Sequence, residues 1–530
     1  MTAAFPLVPW PTTVEPGTGA VDLARVVVVS DTPLRWTPLA TELLAPLGID
    51  VRGAGPQVLA KNGEPPKGTL IELRLAETVV EPVETTPPAI EPSPAVEPSP
   101  VVEPPPLVEP VETPDESYTL ETRPDGVTIT APAEIGLLHG LRTLRQLVGL
   151  DRTAPAVVVH DAPRFAWRGL TLDVARHWFG PAVLRRVVDL AGAYKLRVLH
   201  LHLTDDQGWR IEVPSRPALA QVSGPTQSGG LVPDGERGYL TLDEYRELQE
   251  YAAARFVEIV PEIDLPGHTN AATHACGELR PDGVPTPAYG GMEVGFSRLW
   301  FDNPATEPWI KDVLADVAAA TLGPHVHVGG DECHTLDEPE YSRLVGLALD
   351  AVRSAGKTPV AWQEAAPAAG AGTVLQYWDP RADPAALLRA AEAGARFVMS
   401  PATHAYLDMQ YEPGHPLGQD WSGFVDLHRS YEWEPTTALP GLQAEAVVGV
   451  SAALWTETLE TADHVFSMLL PRLPAVAEVA WTAPSSRDWQ SFRTRIVAHA
   501  PTWDAEGWAW HPSKDAVWAP PAEAVAAREA

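Results

Sequence analysis

Eight short apolar runs in the second part of the chain constrain its fold most. They are WRGLTLDVAR, VLHLHLTDDQ, VEIVPEIDLPGH, HVHVGGDE, TPVAWQEA, TVLQYWD, RFVMSPA and VVGVSAALWTE, and each ends in polar or charged residues. Between them lie stretches with helical spacing, among them AVLRRVVDLAGAY, LDEYRELQEYAAAR, PWIKDVLADVAAAT, EPEYSRLVGLALDAVRSAG and ADPAALLRAAEAGA. Strand-like runs alternating with helix-like ones favour parallel strands joined by crossover helices. Eight such units over about 320 residues predict a (β/α)8 TIM barrel, with irregularity in some helices. Reactive groups in that fold sit at the C-terminal ends of the strands, so the residues that close each run are the site candidates.

Upstream, TLIELRLAE alternates like a strand and SYTLETRPDGVTITAP reads as a hairpin with Asp125-Gly126 near its turn. AEIGLLHGLRTLRQLVGL, residues 133–150, has helical periodicity. These elements predict a small α/β domain over residues 1–160, before a barrel at 161–485 and a terminal helix and tail at 486–530. Residues 79–116 interrupt the first domain with twelve prolines, nine acids and no basic residue. Proline removes donors and like charges repel, so this stretch is expected to be an extended, disordered insertion.

The formal net charge is -32, from 70 acids and 38 bases. No basic field exists to neutralise phosphates, so nucleic acid is not an expected partner. No window of about 20 apolar residues suggests a membrane span. The N-terminal MTAAFPLVPWPTTVEP has neither a basic n-region nor an apolar h-region. A cytoplasmic location is the expectation, with a mature secreted chain as the open alternative. Cys276 and Cys333 are the two cysteines, which permits one bridge.

The strand ends carry the chemistry. Arg176, with Asp173 in the same run, could clamp a sugar hydroxyl or form a structural ion pair. His200 and His202 share one strand face; with Asp205, Asp206, Asp264 and His268 they suit a proton relay, or less economically a metal site. Asp331 and Glu332 follow two glycines in HVGGDE. Neighbouring side chains on an extended backbone diverge, so they are not a facing pair of the kind that flanks a glycosidic bond. Glu332 could instead protonate a leaving oxygen, given a pKa raised by burial or by a nearby acid. Asp331 could hold a second group of the same sugar. A 2-acetamido group would supply its own carbonyl oxygen as nucleophile, close to the anomeric carbon. Trp362, Trp378 and Trp455 could enclose an acetamido methyl and a pyranose face, Tyr406 could donate its hydroxyl, and Asp408 and Glu457 could accept from sugar hydroxyls. Trp421 and Trp433, on a long excursion at 407–437, could shape a subsite beyond the cleaved bond. A packing role is the alternative for each of these.

Together, DVARHW, LHLTDDQGWR, PEIDLPGHTNAA, HVGGDE, AWQE, YWD and ALWTE resemble the family 20 glycoside hydrolases, the β-N-acetylhexosaminidases, over residues 120–485. The resemblance implies no cofactor and no metal, and a retaining release of terminal β-linked N-acetylglucosamine or N-acetylgalactosamine from glycans or chitooligosaccharides. It implies Glu332 as acid/base, Asp331 as the residue orienting the acetamido group, and Tyr406 as its hydroxyl partner. Arg176, Asp408 and Glu457 then grip hydroxyls, Trp362, Trp378 and Trp455 line the pocket, and Asp205, His268 and His202 support Glu332. The rival readings are a disaccharide-releasing enzyme of the same family, a metal-dependent barrel hydrolase using His200, His202 and Asp331, and a non-catalytic sugar-binding barrel.

Overall fold

The computed structural model describes residues 5–56, 68–76, 114–149, 151–233 and 236–518. The first part is one twisted sheet. Its strands are β1 (Thr13–Asp22), β2 (Arg25–Val29), β3 (Asp50–Ala54), β4 (Thr69–Leu75), β5 (Tyr118–Arg123), β6 (Gly126–Ala131) and β7 (Thr153–Asp161), in the order β1-β7-β5-β6-β4-β2-β3. The hairpin read from the sequence is β5 and β6, paired antiparallel up to Arg123 and Gly126. The helix Glu134–Leu147 packs its apolar face on this sheet through Leu137, Leu138, Leu141 and Leu144.

β4 and β6 are parallel neighbours, so the Pro/Glu-rich segment leaves and re-enters a single sheet. Residues 77–113, which take in all of that segment up to residue 113, lie outside the described residues. Its last residue departs from the disorder expected for 79–116. Glu116 is buried, accepts from the Arg168 guanidinium, and lies 2.9 Å from His139 Nε2. An acid that closes a proline- and acid-rich run is here the counter-charge for a buried arginine, which residue composition cannot reveal.

The second part is a closed parallel barrel. Its strands are β8 (Trp167–Asp173), β9 (Val198–His202), β12 (Glu258–Glu262), β13 (His325–His327), β14 (Thr358–Trp362), β15 (Val374–Tyr377), β16 (Arg396–Met399) and β17 (Val447–Leu454); β10 (Thr226–Gln227) and β11 (Gly230–Leu231) form a small hairpin outside it. Each of the eight apolar runs supplies one barrel strand. The helices Gly180–Ala193, Leu242–Ala253, Thr306–Ala320, Glu338–Ser354 and Ala385–Glu392 alternate with them. After β14 a 3-10 turn at Gln363–Ala368 replaces a full helix, and after β16 the chain makes a long excursion with short helices. One end of the barrel is plugged by an apolar layer of Trp167, Val198, Val260, Val360, Val374 and Val398. Above it the interior turns polar: Thr171, His200, Gln376, Ser400 and Ser451 are hydrogen-bonded to one another. This ordering directs the chemistry to the C-terminal ends of the strands.

Sheet and barrel meet through buried charge. Lys195 Nζ, at the turn before β9, donates to Tyr118 Oη (2.8 Å) and Asp161 Oδ2 (2.9 Å) and lies over the Trp481 ring. After β17, Ala462–Leu469 and Arg472–Trp481 close the barrel, and Trp489–Arg495 and Ala500–Ala505 pack onto it through Phe492 and Trp503. No helix among the described residues is long and apolar enough to cross a membrane.

Candidate active site

Four adjacent strands carry the groups that build the site floor. Asp173, His202 and Glu262 are in register across β8, β9 and β12, and His327 of β13 pairs with Glu262. All four are buried. Glu262 is the hub: its carboxylate lies 2.7 Å from His202 Nδ1, 2.8 Å from His200 Nε2 and 3.2 Å from His327 Nδ1, and it accepts from Trp362 Nε1 at 2.7 Å. Burial alone would raise its pKa, but the histidine charges hold it well below the usual carboxylate range.

From Glu262 a line of alternating charge rises to the acid pair. His202 Nε2 contacts Asp205 Oδ2 at 2.7 Å, and Asp205 Oδ1 contacts His268 Nδ1 at 3.1 Å. His268 Nε2 then lies 3.6 Å from Glu332 Oε2 and 3.7 Å from Asp331 Oδ2. Burial favours neutral imidazoles, yet the acids on either side keep both His202 and His268 protonated, with pKa values well above the ordinary one. The structure therefore brings His202, Asp205 and His268 together beneath Glu332.

The backbone of the acid pair is not extended, contrary to the sequence expectation. β13 ends at His327, and Gly329, Gly330 and Glu332 all have positive φ, as does His268. A Cβ on Gly329 would lie 1.8 Å from Asp264 Oδ1, which accepts from the Gly330 N–H at 3.0 Å. The two glycines thus let Asp264 lock a left-handed turn, and a non-glycine residue held at positive φ is a form of strain that concentrates at functional sites. The outcome is two neighbouring carboxylates arrayed around one imidazole.

Their proton affinities differ. Burial raises the Asp331 pKa, partly opposed by His268. Burial also acts to raise Glu332, but the charge of His268 wins and its pKa is lowered. The raised pKa expected for Glu332 is thus absent: its side chain is 28% exposed and faces a protonated histidine.

Around the acids stands an aromatic box. Trp362, Trp378, Tyr406 and Trp455 form one buried cluster. Trp362 and Trp455 are 5.7 Å apart, Tyr406 and Trp455 6.1 Å, and Trp378 stacks on Tyr406 at 6.1 Å and 12°. Burial and the charges of Asp331 and Asp408 push the Tyr406 phenol pKa well above its ordinary value. Arg176 donates towards Asp205 (2.8 Å) and Asp173 (3.5 Å) and lies over Trp455. Burial raises the Asp408 pKa well above its ordinary value, and the charge of Glu457 adds to that. Asp331 Oδ1, both Asp408 oxygens, Arg176 Nε and His268 Nε2 are buried without a hydrogen-bond partner among the described residues.

The two subsite tryptophans separate. Trp421 is 40% exposed and meets Trp378 and Tyr406 edge-on at 5.9 and 6.0 Å, at the rim of the box. Trp433 is buried in the main core, stacked on His404, with its indole N–H given to Ser430 O. It is packing and not subsite, a correction to the sequence reading. The proposed ligand set His200, His202 and Asp331 is not brought together either: His200 converges with Glu262 and His327, and Asp331 with Asp264 and His268. Cys276 and Cys333 are both free. Sequence reasoning missed Glu262 and His327. Both could have been found by extending the alternation through VEIVPE and HVHV, which puts both on the inward strand face.

Models of the family described as "Glycosyl hydrolase family 20, catalytic domain" and "Glycosyl hydrolase family 20, domain 2" match residues 165–484 and 4–162. The chain belongs to glycosyl hydrolase family 20. This family 20 enzyme is of the β-N-acetylhexosaminidase class. A β-N-acetylhexosaminidase from Cellulomonas fimi is 51% identical to it over 418 residues, covering 78% of this chain and 84% of the relative. Among solved structures it is similar to the Streptomyces plicatus N-acetyl-β-hexosaminidase in complex with thio-NAglucal, with 37% identity, a TM-score of 0.85 and 98% of each chain covered. The family 20 β-N-acetylhexosaminidase of Streptomyces coelicolor A3(2) follows, with 36% identity, a TM-score of 0.84, and 98% and 99% of the two chains covered.

Proposed function

We propose that this family 20 enzyme is a retaining exo-hydrolase that removes terminal non-reducing β-linked N-acetylglucosamine or N-acetylgalactosamine, with the substrate's own acetamido oxygen as nucleophile. One observation carries the reading: Asp331 presents a buried, unpartnered carboxylate oxygen beside Glu332 and acts on the phenol of an aromatic box. An acetamido group meets each demand of that place. Its N–H satisfies Asp331, its methyl fits among indoles, and its carbonyl oxygen can attack the anomeric carbon.

In this mechanism Glu332 gives its proton to the leaving oxygen while the acetamido oxygen closes a five-membered oxazolinium ring. The anomeric C–O bond breaks and a new C–O bond forms on the opposite face. Asp331 holds the ring N–H as positive charge develops there. Water, deprotonated by Glu332, then opens the ring with net retention. Glu332 must be protonated to begin. A bound sugar would remove water from its exposed side and raise its proton affinity, and His268 lies close enough to both acids to buffer the change. The unpartnered Asp408 oxygens and Arg176 Nε are suited to the hydroxyls of the terminal sugar, and Trp421 at the rim to the leaving group. A Streptomyces plicatus neighbour solved with the product GlcNAc supports the sugar assigned here.

The test is Asp331→Asn. Loss should fall mainly on kcat, because the interaction strengthens in the transition state. An N-acetylglucosamine thiazoline should inhibit the unaltered enzyme strongly, and a β-glucoside lacking the acetamido group should be nearly inert. Brisk β-glucoside turnover with a covalent 2-fluoro sugar on a protein carboxylate would overturn the reading. Release of a disaccharide would point to the narrower rival in the same family, and loss of activity on chelation to the metal-dependent one.

A further inference from the structure

The run TPVAWQEA places two polar residues directly after the wall residue Trp362, and the mechanism above uses neither. Gln363 is buried. Its Oε1 accepts from the backbone N–H groups of Trp378 (2.9 Å) and Asp379 (3.0 Å), and its Nε2 donates to Asp379 O (3.2 Å). Glu364 reaches the same wall from the side, with both carboxylate oxygens 3.1 Å from Trp378 Nε1. Trp378 in turn stacks on Tyr406 and meets Trp421 edge-on, and Arg381, paired with Asp379 at 2.8 Å, lies 5.4 Å over Trp421.

We propose that Glu364 is a positioning residue that fixes the Trp378 indole as a wall of the sugar pocket, rather than a group filling space behind it. The charges it faces argue for this. Asp331 and Glu332 both repel a carboxylate here, and burial with the Asp331 charge pushes the Glu364 carboxyl up to about 8. Tyr341 and Tyr406 are the other titratable groups under its influence. An apolar side chain would fill this place without the cost of burying a carboxyl beside the acid pair. What it could not supply is an acceptor for the only polar side-chain atom of Trp378, whose orientation decides which face the Tyr406 stack presents to the ligand.

The inference rests on the hexosaminidase reading, and turnover of an aryl β-N-acetylglucosaminide by the unaltered enzyme tests that reading separately. Comparison among variants then tests Glu364 alone. Glu364→Leu should raise KM for this substrate about tenfold, with a smaller change in kcat, because a buried indole N–H loses its acceptor. Glu364→Gln, which retains a carbonyl acceptor, should keep KM within about threefold of the parent. In a Trp378→Phe background, which has no N–H to orient, Glu364→Leu should add less than about a twofold further change. Three results would each overturn the proposal: an unchanged KM in Glu364→Leu, a Gln variant as impaired as the Leu variant, or effects of Glu364→Leu and Trp378→Phe that simply multiply. Should the Leu variant not fold, Glu364→Met, of similar length and without an oxygen acceptor, takes its place with the same expected and overturning results.

Discussion

Glu262→Gln is the substitution that most directly tests how the site is held. The glutamate uses its two oxygens for different partners: Oε2 faces His202 Nδ1 (2.7 Å) and His200 Nε2 (2.8 Å), and Oε1 faces Trp362 Nε1 (2.7 Å) and His327 Nδ1 (3.2 Å). An amide of the same shape keeps only one acceptor. In either orientation its NH2 group points at a donor, leaving either the protonated His202 or the Trp362 indole unpaired. A buried donor left unsatisfied costs about 1–3 kcal/mol, and breaking a buried ion pair about 3–5 kcal/mol. A loss of about 3–5 kcal/mol is therefore expected. The pH dependence has a definite sign. Glu262 has its pKa lowered, so its contribution is complete above the ordinary carboxylate range and fades only as pH falls through the depressed value. His202 has its pKa raised, so its contribution is complete below the ordinary histidine range and fades as pH rises through the elevated value. The difference between parent and variant should thus be full near pH 5–6 and shrink on the alkaline side. Urea unfolding followed by tryptophan fluorescence across that range measures it. A loss below about 1 kcal/mol at pH 6 would refute the view of Glu262 as the hub of the floor.

Three other outcomes follow from the structure. Glu332→Gln should slow natural glycosides about 10²–10⁴-fold but aryl glycosides with good leaving groups much less, in steady-state assays of both; equal small losses would remove Glu332 from the acid role. Asp331 itself should titrate above the ordinary aspartate range, because burial raises it, in difference infrared spectra of the parent against Asp331→Asn; a titration at or below that range would contradict the assignment. Deleting residues 82–113 should leave kinetics on a small aryl substrate nearly unchanged, since the flanking strands share one sheet and Glu116 is retained; extending the deletion through Glu116 should lower the melting temperature, because Arg168 then loses its buried partner.

Much of this molecule was legible from strand periodicity. The eight barrel strands emerge as apolar runs because a barrel strand is buried on both faces, and the residues that close those runs include Arg176, His268, Asp331, Glu332, Trp362, Trp378 and Trp455. The remainder depended on neighbours distant in the chain. Glu262 reads as one acid in a hydrophobic run until β9 and β13 bring three imidazoles against it. Trp433 and Trp421 each follow an acidic residue on the excursion after β16, and only the path of that excursion puts one in the core and the other on the rim. The left-handed turn at Glu332 was hidden for a related reason: two glycines announce freedom, but the direction taken is set by Asp264, far away in sequence.

The buried lysine at the junction of sheet and barrel bears on how this enzyme can be dissected. Lys195 comes from the barrel, whereas Tyr118 and Asp161 come from the sheet, and the Arg168–Glu116 pair crosses the same boundary. Severing the chain near residue 162 would strip two interior cations of their counter-ions. The catalytic half is therefore not a portable module. Each half completes the other's interior, and swapping the first domain between relatives would succeed only where these cross-boundary partners travel together.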